Sequence, residues 1–237
     1  MPTLAQRLEA LPDPRNASGL RHPLAAILKL TVTALACGFR SLLAIADFGR
    51  ELDEAERLRL GFTHRKPKTR EVAMPCVATL SNLFRNLDLA ALEAQRRAAA
   101  AERLPPAPGP DAAPAPPTLA ALDGKSVRGS ADGEVPALHL LALFAVEAGL
   151  TLAQQPVDLK TNEHKAALAM LAGVDLHGHV VSADAMFTHR DFCQRVLDSG
   201  GDYLLVAKGN QSTLERDLRS FFADDPELSP LPTAAAC

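Results

Sequence analysis

Apolar positions recur at helical spacing through roughly the first hundred residues of the chain. Gly38 interrupts the pattern where a helix end is expected, and Ser41 is well suited to cap the next helix. No run in this part alternates with the period of two that a half-buried strand requires. The segment 1–104 is therefore predicted to be an all-α domain, with helices over 3–11, 24–39, 41–59, 75–87 and 90–103.

The periodicity changes in the second half of the chain, where short apolar runs alternate with amphipathic stretches. The helices are predicted over 162–171, 189–199 and 212–222, and the strands over 119–124, 137–149, 150–161, 180–183 and 203–207. The resulting order is βββαβαβα. An antiparallel meander followed by helix-separated parallel strands is the ribonuclease-H-like order, an α/β fold built on a mixed sheet.

A proline-rich stretch separates these two parts. Residues 105–117 read PPAPGPDAAPAPP, with seven prolines in 13 residues. Such a run favours extended polyproline geometry over a helix or an inner strand. The predicted organisation is a helical domain over 1–104, a Pro/Ala-rich linker over 105–117 and an α/β domain over 118–237.

Two aspartates occupy matching places in the α/β domain. Asp123 ends the run LAALD, and Asp184 follows the fourth predicted strand in HVVSAD. In the predicted sheet these two strands are neighbours, so the carboxylates should lie close together. Paired carboxylates repel unless cations bind between them, and their hard oxygens suit Mg²⁺ or Mn²⁺. The alternative is that each aspartate only stabilises a turn at the end of its strand.

Basic side chains surround this candidate metal site. Lys125 and Arg128 follow the first aspartate, and Lys208 follows the fifth predicted strand. Each could contact the phosphates of a DNA backbone. The alternative is a set of solvated surface cations.

A second group of cations lies in the helical domain, where HRKPKTR carries Arg65, Lys66, Lys68 and Arg70 ahead of a helix with polar positions. A basic loop followed by such a helix resembles a helix-turn-helix DNA reader. The alternative is a solvated loop before an ordinary packing helix. We expect these four residues, with Lys125, Arg128 and Lys208, to be the DNA-contacting cations.

Charge and composition change this interpretation little. The net charge is −3, but residues 1–104 carry 16 Lys and Arg against 11 Asp and Glu, whereas the remainder carries 9 against 17. The four cysteines are far apart in sequence and no apolar run is long enough to cross a bilayer, so a cytoplasmic protein with no membrane partner is expected. Phosphate-binding P-loops, dinucleotide fingerprints and serine nucleophile elbows are absent from the sequence.

Several long blocks resemble the H-repeat-associated, ISAs-type family of insertion-sequence transposases. LPDPRNASGLRHPLAAILKLTVTALACGFRSLLAIADFGRE is similar to the N-terminal associated domain of that family, and ALDGKSVRGS, VVSADAMFTHRDF and GGDYLLVAKGNQ are similar to blocks of its DDE catalytic domain. The resemblance implies a bacterial enzyme that cuts DNA at element ends and joins them to target DNA with two divalent metals. It also implies that Asp123 and Asp184 are the first two catalytic acids. DNA is the implied partner, and self-association is also expected.

The end of the chain departs from the family. Family members continue past this point, and their third acid is a glutamate on a later helix. Here Glu215, Asp217 and Glu227 are the remaining acids, and none sits in the matching motif. We therefore expect a truncated or frameshifted transposase, incomplete at its C-terminus and with reduced or lost activity. The alternatives are a catalytically dead DNA-binding remnant that acts as a regulator and a nuclease that only hydrolyses DNA.

Overall fold

The structure is a computed structural model that describes residues 1–17, 20–104, 116–131, 133, 136–157 and 162–223. The chain divides into two compact units, Met1–Glu102 and Arg103–Cys237. Most of the predicted proline-rich linker lies outside the described residues. Each unit is described by itself.

The first unit is helical. Among its described residues, an isolated β-bridge joins Arg65 to Val72. The helices pack around a core whose most deeply buried large side chains include Ile27, Leu30, Phe62 and Leu80. Apolar residues at helical spacing face one another across this core, as the sequence pattern predicted. The helices are α1 (Leu4–Glu9), α2 (Leu24–Ala36), α3 (Leu42–Glu51), α4 (Glu54–Leu60), α5 (Val77–Asn86) and α6 (Leu89–Ala101).

The single helix predicted over 41–59 is wrong, because the chain forms two helices there. Leu52 adopts an extended conformation between α3 and α4. Asp53 then caps α4: its Oδ1 accepts a hydrogen bond from the Glu56 amide at 2.7 Å, and Glu56 Oε2 accepts one from the Asp53 amide at 2.8 Å. This reciprocal capping box satisfies two amide groups at a helix start. Acidic and basic residues at helical spacing in this stretch made the break between α3 and α4 hard to predict from the sequence.

The second unit contains a five-stranded mixed sheet with the strand order β3-β2-β1-β4-β5. Strand β1 pairs antiparallel with β2 and parallel with β4, β2 pairs antiparallel with β3, and β4 pairs parallel with β5. The predicted α/β class is confirmed. The elements are β1 (Thr118–Ser126), β2 (His139–Ala145), β3 (Leu150–Val157), α7 (Glu163–Leu171), β4 (His179–Ala183), α8 (Arg190–Asp198), β5 (Asp202–Leu205) and α9 (Ser212–Ala223).

The two faces of the sheet differ. On one face, alternate strand residues such as Leu122, Leu141 and Val181 are buried in a core with Met170 of α7 and Phe192 of α8. The intervening strand residues point to the opposite face, because successive side chains of a strand alternate. That second face is where the polar groups of the candidate site lie.

Gly201 is needed where the chain enters β5. A Cβ at this position would lie 2.7 Å from Leu176 Cβ and 3.1 Å from the carbonyl oxygens of both Leu176 and His179. Two of these neighbours are backbone atoms, which cannot move without disturbing the start of β4. Any residue larger than glycine therefore overpacks this junction.

We expect Gly201→Ala to lower the free energy of unfolding of the second unit by about 2 kcal/mol, the usual scale for overpacking a close contact. Gly209→Ala is the matched control, because a Cβ at Gly209 meets no atom within 4 Å. Urea titration followed by the fluorescence of Tyr203, the single tyrosine, measures both variants. Equal stabilities for the two variants would contradict the packing argument.

Candidate functional site

Asp123 and Asp184 follow two residues that pair directly across β1 and β4. The parallel pairing of these strands ends at Leu122 and Ala183, which are both buried on the helix-covered face. Asp123 is still within β1, so by alternation it points to the opposite face, and Asp184 follows β4 in an extended conformation. Neighbouring strands lie about 4.8 Å apart, so the two carboxylates share one edge of one face.

The two aspartates occupy different local structures. The sequence suggested that Asp123 ends β1, but this is wrong. Antiparallel pairing with β2 continues the strand to Ser126, so Asp123 lies inside it. Asp184 comes directly after β4 and accepts a hydrogen bond from the Ala185 amide at 2.7 Å, which begins a 3₁₀ turn over Ala185–Phe187. Both side chains are open to solvent, at 64% and 65% exposure.

Each carboxylate forms an ion pair with one lysine side chain. Lys125, two residues along β1 and on the same face, donates from Nζ to Asp123 Oδ2 at 2.6 Å. Lys208, in the loop after β5, donates from Nζ to Asp184 Oδ1 at 2.9 Å. The Lys208 hydrogen bond, together with that from the Ala185 amide, holds the pKa of Asp184 below its ordinary value. The site therefore keeps Asp184 ionised and ready to bind positive charge.

We expect Lys208→Met to raise the pKa of Asp184 towards its ordinary value, because the largest cause of its lowering is removed. Lys165→Met is the matched control: it removes an exposed lysine from α7, and no contact with Asp184 is described for it. Carboxyl-carbon NMR titration of the Asp184 resonance measures the pKa in each variant. An unchanged pKa in Lys208→Met would contradict the assigned contact.

The donor chemistry of this pair fits Mg²⁺ or Mn²⁺. Exposed lysine–aspartate pairs are weak, so a divalent ion can displace the ammonium groups at small cost. Within the described ranges, no cluster of three or more His, Cys, Asp or Glu side chains is arranged to hold a metal. The pair thus offers two carboxylates to such an ion.

The acids considered for a third catalytic position are not clustered with Asp123 and Asp184, or they lie outside the described residues. Glu215 of α9 accepts hydrogen bonds from Arg219 on the same helix, the shorter at 2.9 Å. Asp217, also on α9, lies within ion-pair distance of Arg216. Glu227 lies outside the described residues.

The basic loop is less free than its sequence suggests. Arg65 forms an ion pair with Glu54 at 2.5 Å and donates to the Arg70 carbonyl, and Lys66 pairs with Glu71 at 3.1 Å. Lys68 and Arg70 are exposed, and the described residues provide them with no ion-pair partner. Lys68 and Arg70 are therefore the cations of this loop that remain available to a phosphate.

The remaining cations lie near the carboxylate pair by sequence but differ in their contacts. Arg128 is exposed in the turn after β1, without an ion pair among the residues described. Lys125 and Lys208 form ion pairs with Asp123 and Asp184.

Sequence reasoning missed a pair beneath β1. His139 Nε2 lies 2.7 Å from Glu163 Oε1, an ion-pair distance although the two groups are not aligned as a hydrogen bond. A Cβ at Gly124 would lie 2.7 Å from Glu163 Oε2 and 2.8 Å from His139 Nε2. The pair therefore packs against the backbone beside Asp123. The glycine in LDGK was the one signal of this close approach.

Comparison with known proteins agrees with the geometry. The family profile described as "Transposase DDE domain" matches residues 114–231, and the profile described as "DDE_Tnp_1-associated" matches residues 5–98. A Xanthobacter autotrophicus protein described as "Uncharacterized protein in dhlA 3'region" is 34% identical over 96% of this chain and 73% of its own length.

Two named relatives come from Escherichia coli K12. "Putative transposase YncI" is 30% identical over 93% of this chain and 83% of its own length, and "H repeat-associated putative transposase YbfD" is 27% identical over 92% and 81%. The chain spans 53% of the YncI protein of E. coli O157:H7.

Among solved structures, a piggyBac transposase synaptic complex with hairpin DNA aligns over 91% of this chain and 48% of that chain, with a TM-score of 0.38 and 9% identity. In the described part of the chain, no helix is long and apolar enough to span a membrane. The two profile matches and the extended similarity to the X. autotrophicus and YncI proteins show that the chain belongs to the DDE transposase family.

Proposed function

We propose that this protein cuts DNA at the ends of an insertion sequence and joins them to target DNA, on a ribonuclease-H-like sheet. Asp123 and Asp184 are the proposed catalytic acids and the proposed ligands of two Mg²⁺ or Mn²⁺ ions. The observation that carries the proposal is that each aspartate directly follows one member of the Leu122–Ala183 pair, which ends the parallel pairing of β1 with β4. That placement brings two hard anionic ligands to one exposed edge, where a DNA backbone can approach.

The divalent ions, when bound, supply activation of an attacking water or 3′-hydroxyl and stabilisation of the leaving oxygen. The chain supplies their positioning. Asp184 is fixed by the Ala185 amide at 2.7 Å, so one of its oxygens has a set direction. The backbone of Asp123 is held by the pairing of β1 with β2, where it lies opposite Ala142.

The lysine and arginine side chains around the site are proposed to contact DNA phosphates. Lys125 and Lys208 are within reach of the same edge, and when metal replaces them on the aspartates their ammonium groups can move to neighbouring phosphates. Arg128 extends this basic surface beyond β1. In the first unit, Lys68 and Arg70 are proposed to contact the backbone of the same class of DNA, and Arg65 and Lys66 join them by exchanging their exposed glutamate partners for phosphate.

In this proposal the site has two carboxylates, and within the described residues no group of three or more possible metal ligands is found. A two-carboxylate site holds divalent ions less firmly than a three-carboxylate one. We therefore propose that the activity of this chain is low, and that self-association on DNA accompanies it. The second candidate is a regulator that binds DNA without cutting it, which the same observation favours.

The products of one reaction separate these functions. The purified chain is incubated with Mn²⁺, a duplex carrying the DNA that flanks its gene and a supercoiled target plasmid. Plasmids joined to the duplex support strand transfer, whereas cut duplex without joining supports a hydrolytic nuclease. Salt-sensitive binding with neither product supports the regulator. Joining that persists in Asp123→Ala would overturn the assignment of this aspartate.

A further inference from the structure

The first unit contains a cavity of about 880 Å³ that the basic loop only borders. Its lining comes from the loop before α2, from the residues around the β-bridge and from the start of α5. Pockets that hold small organic ligands typically measure about 300–1,000 Å³. The cavity is thus far larger than one phosphate ion needs, and it has room for a phosphate together with a base.

The lining is positively charged. Arg15, Arg21 and Lys66 border the cavity; Asp13 pairs with Arg15, but no carboxylate among the described residues lines the cavity itself. Lys66 pairs with Glu71, but this pair is exposed, and such pairs are easily exchanged. Arg21 is exposed, without an ion pair among the described residues. The electrostatics favour an anionic ligand.

Arg15 is held in place before any ligand arrives. Its Nε and Nη2 donate to the two oxygens of Asp13 at 2.9 and 2.7 Å, and Nη2 also donates to the His22 carbonyl at 2.9 Å. Within the described residues, no hydrogen bond uses Nη1. A guanidinium fixed in this way loses little entropy when it binds a phosphate oxygen.

His22 supplies an independent observation. The residue is only 7% exposed and lines the cavity, and its buried Nδ1 has no hydrogen-bond partner. Leaving a buried polar atom without a partner costs free energy, so a hydrogen bond from a bound molecule to Nδ1 would stabilise this position. Burial also lowers the pKa of His22 to about 4, so the ring is neutral near pH 7 and can bind a ligand without adding charge.

The start of α5 adds a further anion-binding element. Cys76 caps this ten-residue helix without a side-chain hydrogen bond to its first amides, and Cys76, Thr79 and Asn82 border the cavity. Free amides at a helix start attract phosphate. The Asn82 amide group is able to pair with the edge of a base, as asparagine does with adenine.

We infer that this cavity binds one nucleotide unit of a DNA strand, with the phosphate between Arg15, Arg21 and the start of α5 and the base beside His22 and Asn82. The inference rests on the proposed action on DNA and assigns part of DNA recognition to a site that the basic loop alone does not provide. The same chemistry could be met by a free nucleotide, which the test separates from DNA.

Two exposed thiols of the first unit make the test direct. Cys76 borders the cavity and Cys37 does not, and both are free and exposed. A hydrogen bond with Thr79 lowers the pKa of Cys76, which favours its alkylation. The full chain is alkylated with iodoacetamide, and mass spectrometry gives the rate at each cysteine. The reaction is run without a ligand and then with one of four candidate ligands: a single-stranded oligodeoxynucleotide, a duplex, deoxyadenosine monophosphate or inorganic phosphate.

At a DNA concentration ten times the dissociation constant, Cys76 should react about tenfold more slowly, and Cys37 should not change. Arg21→Ala should weaken DNA binding about fivefold, whereas Arg59→Ala, which removes an equally exposed arginine from α4, should have little effect. Unchanged Cys76 alkylation on a DNA-saturated chain would overturn the inference. If the mononucleotide or phosphate protected Cys76 but neither DNA did, the inference that the bound nucleotide belongs to a DNA strand would be wrong.

The result is separable from that of the catalytic proposal. Asp123→Asn lies in the other unit and should leave the protection of Cys76 intact. A chain that protects Cys76 but joins no DNA contradicts only the proposed catalysis. A chain that joins DNA with Cys76 unprotected contradicts only this inference.

Discussion

Replacing either Asp123 or Asp184 by asparagine is expected to slow Mn²⁺-dependent DNA cleavage by on the order of 10³-fold or more. Asparagine keeps the size of the side chain and one oxygen, but it removes the negative charge that binds the metal. Because the two carboxylates act on the same ions, the double variant should be little slower than either single variant. Rates from single-turnover cleavage of a labelled duplex measure this.

Metal binding provides a second measurement that does not depend on the speed of cleavage. Each variant should weaken Mn²⁺ binding by about tenfold or more, measured by electron paramagnetic resonance of free Mn²⁺. Asp175→Asn is the matched control: this exposed aspartate pairs with His177 before β4, at the opposite end of that strand from Asp184. Equal loss of Mn²⁺ in Asp175→Asn and Asp184→Asn would contradict the assignment of the metal to Asp123 and Asp184.

The placement of these aspartates was accessible from sequence because β-strand alternation is a local rule. Leu122 and Ala183 had to be buried, so the residues after them had to face the other way. The order of strands then made β1 and β4 neighbours. The extension of β1 to Ser126 was not accessible, because it depends on hydrogen bonds to β2 that no local pattern encodes.

The contacts of the charged residues were harder to predict. Arg65 and Lys66 look free in the sequence, but they pair with Glu54 and Glu71, which approach only when the loop folds back through the β-bridge. The His139–Glu163 pair joins a strand to a helix 24 residues away in sequence, and only the nearby Gly124 hinted at it. Such pairs depend on the fold as a whole, whereas helix and strand patterns depend on neighbours.

The cavity of the first unit could not be predicted from the sequence either, because residues far apart in the chain line it. Arg15 and Asn82 border it from opposite ends of the first unit's sequence, and no spacing rule connects them. In the sequence, His22 is marked only by its place before Pro23 at the start of α2. Its burial against Phe62, with ring centroids 5.7 Å apart, follows from packing of that unit's core.

The burial of His22 predicts that the first unit loses stability in mild acid. Its pKa is about 4 in the folded chain and 6.5 ordinarily, because burial disfavours the charged ring and neighbouring positive groups add to the effect. Between these values the unfolded chain binds a proton that the folded chain does not, so stability is full above pH 6.5 and falls as the pH drops towards 4. The expected loss is about 3 kcal/mol.

Urea unfolding followed by circular dichroism at 222 nm reports mainly the helices of the first unit, while the fluorescence of Tyr203 follows the second unit separately. His22→Gln replaces the ring with a polar side chain that does not titrate, so its first unit should lose far less stability between pH 6.5 and 4. His177→Gln is the control, because His177 is an exposed histidine of the second unit and should leave the acid sensitivity of the first unit unchanged. If His22→Gln kept the full acid sensitivity of the unsubstituted chain, the proton uptake would have to be assigned to another group, and the buried, neutral imidazole at the edge of the cavity would lose its main support.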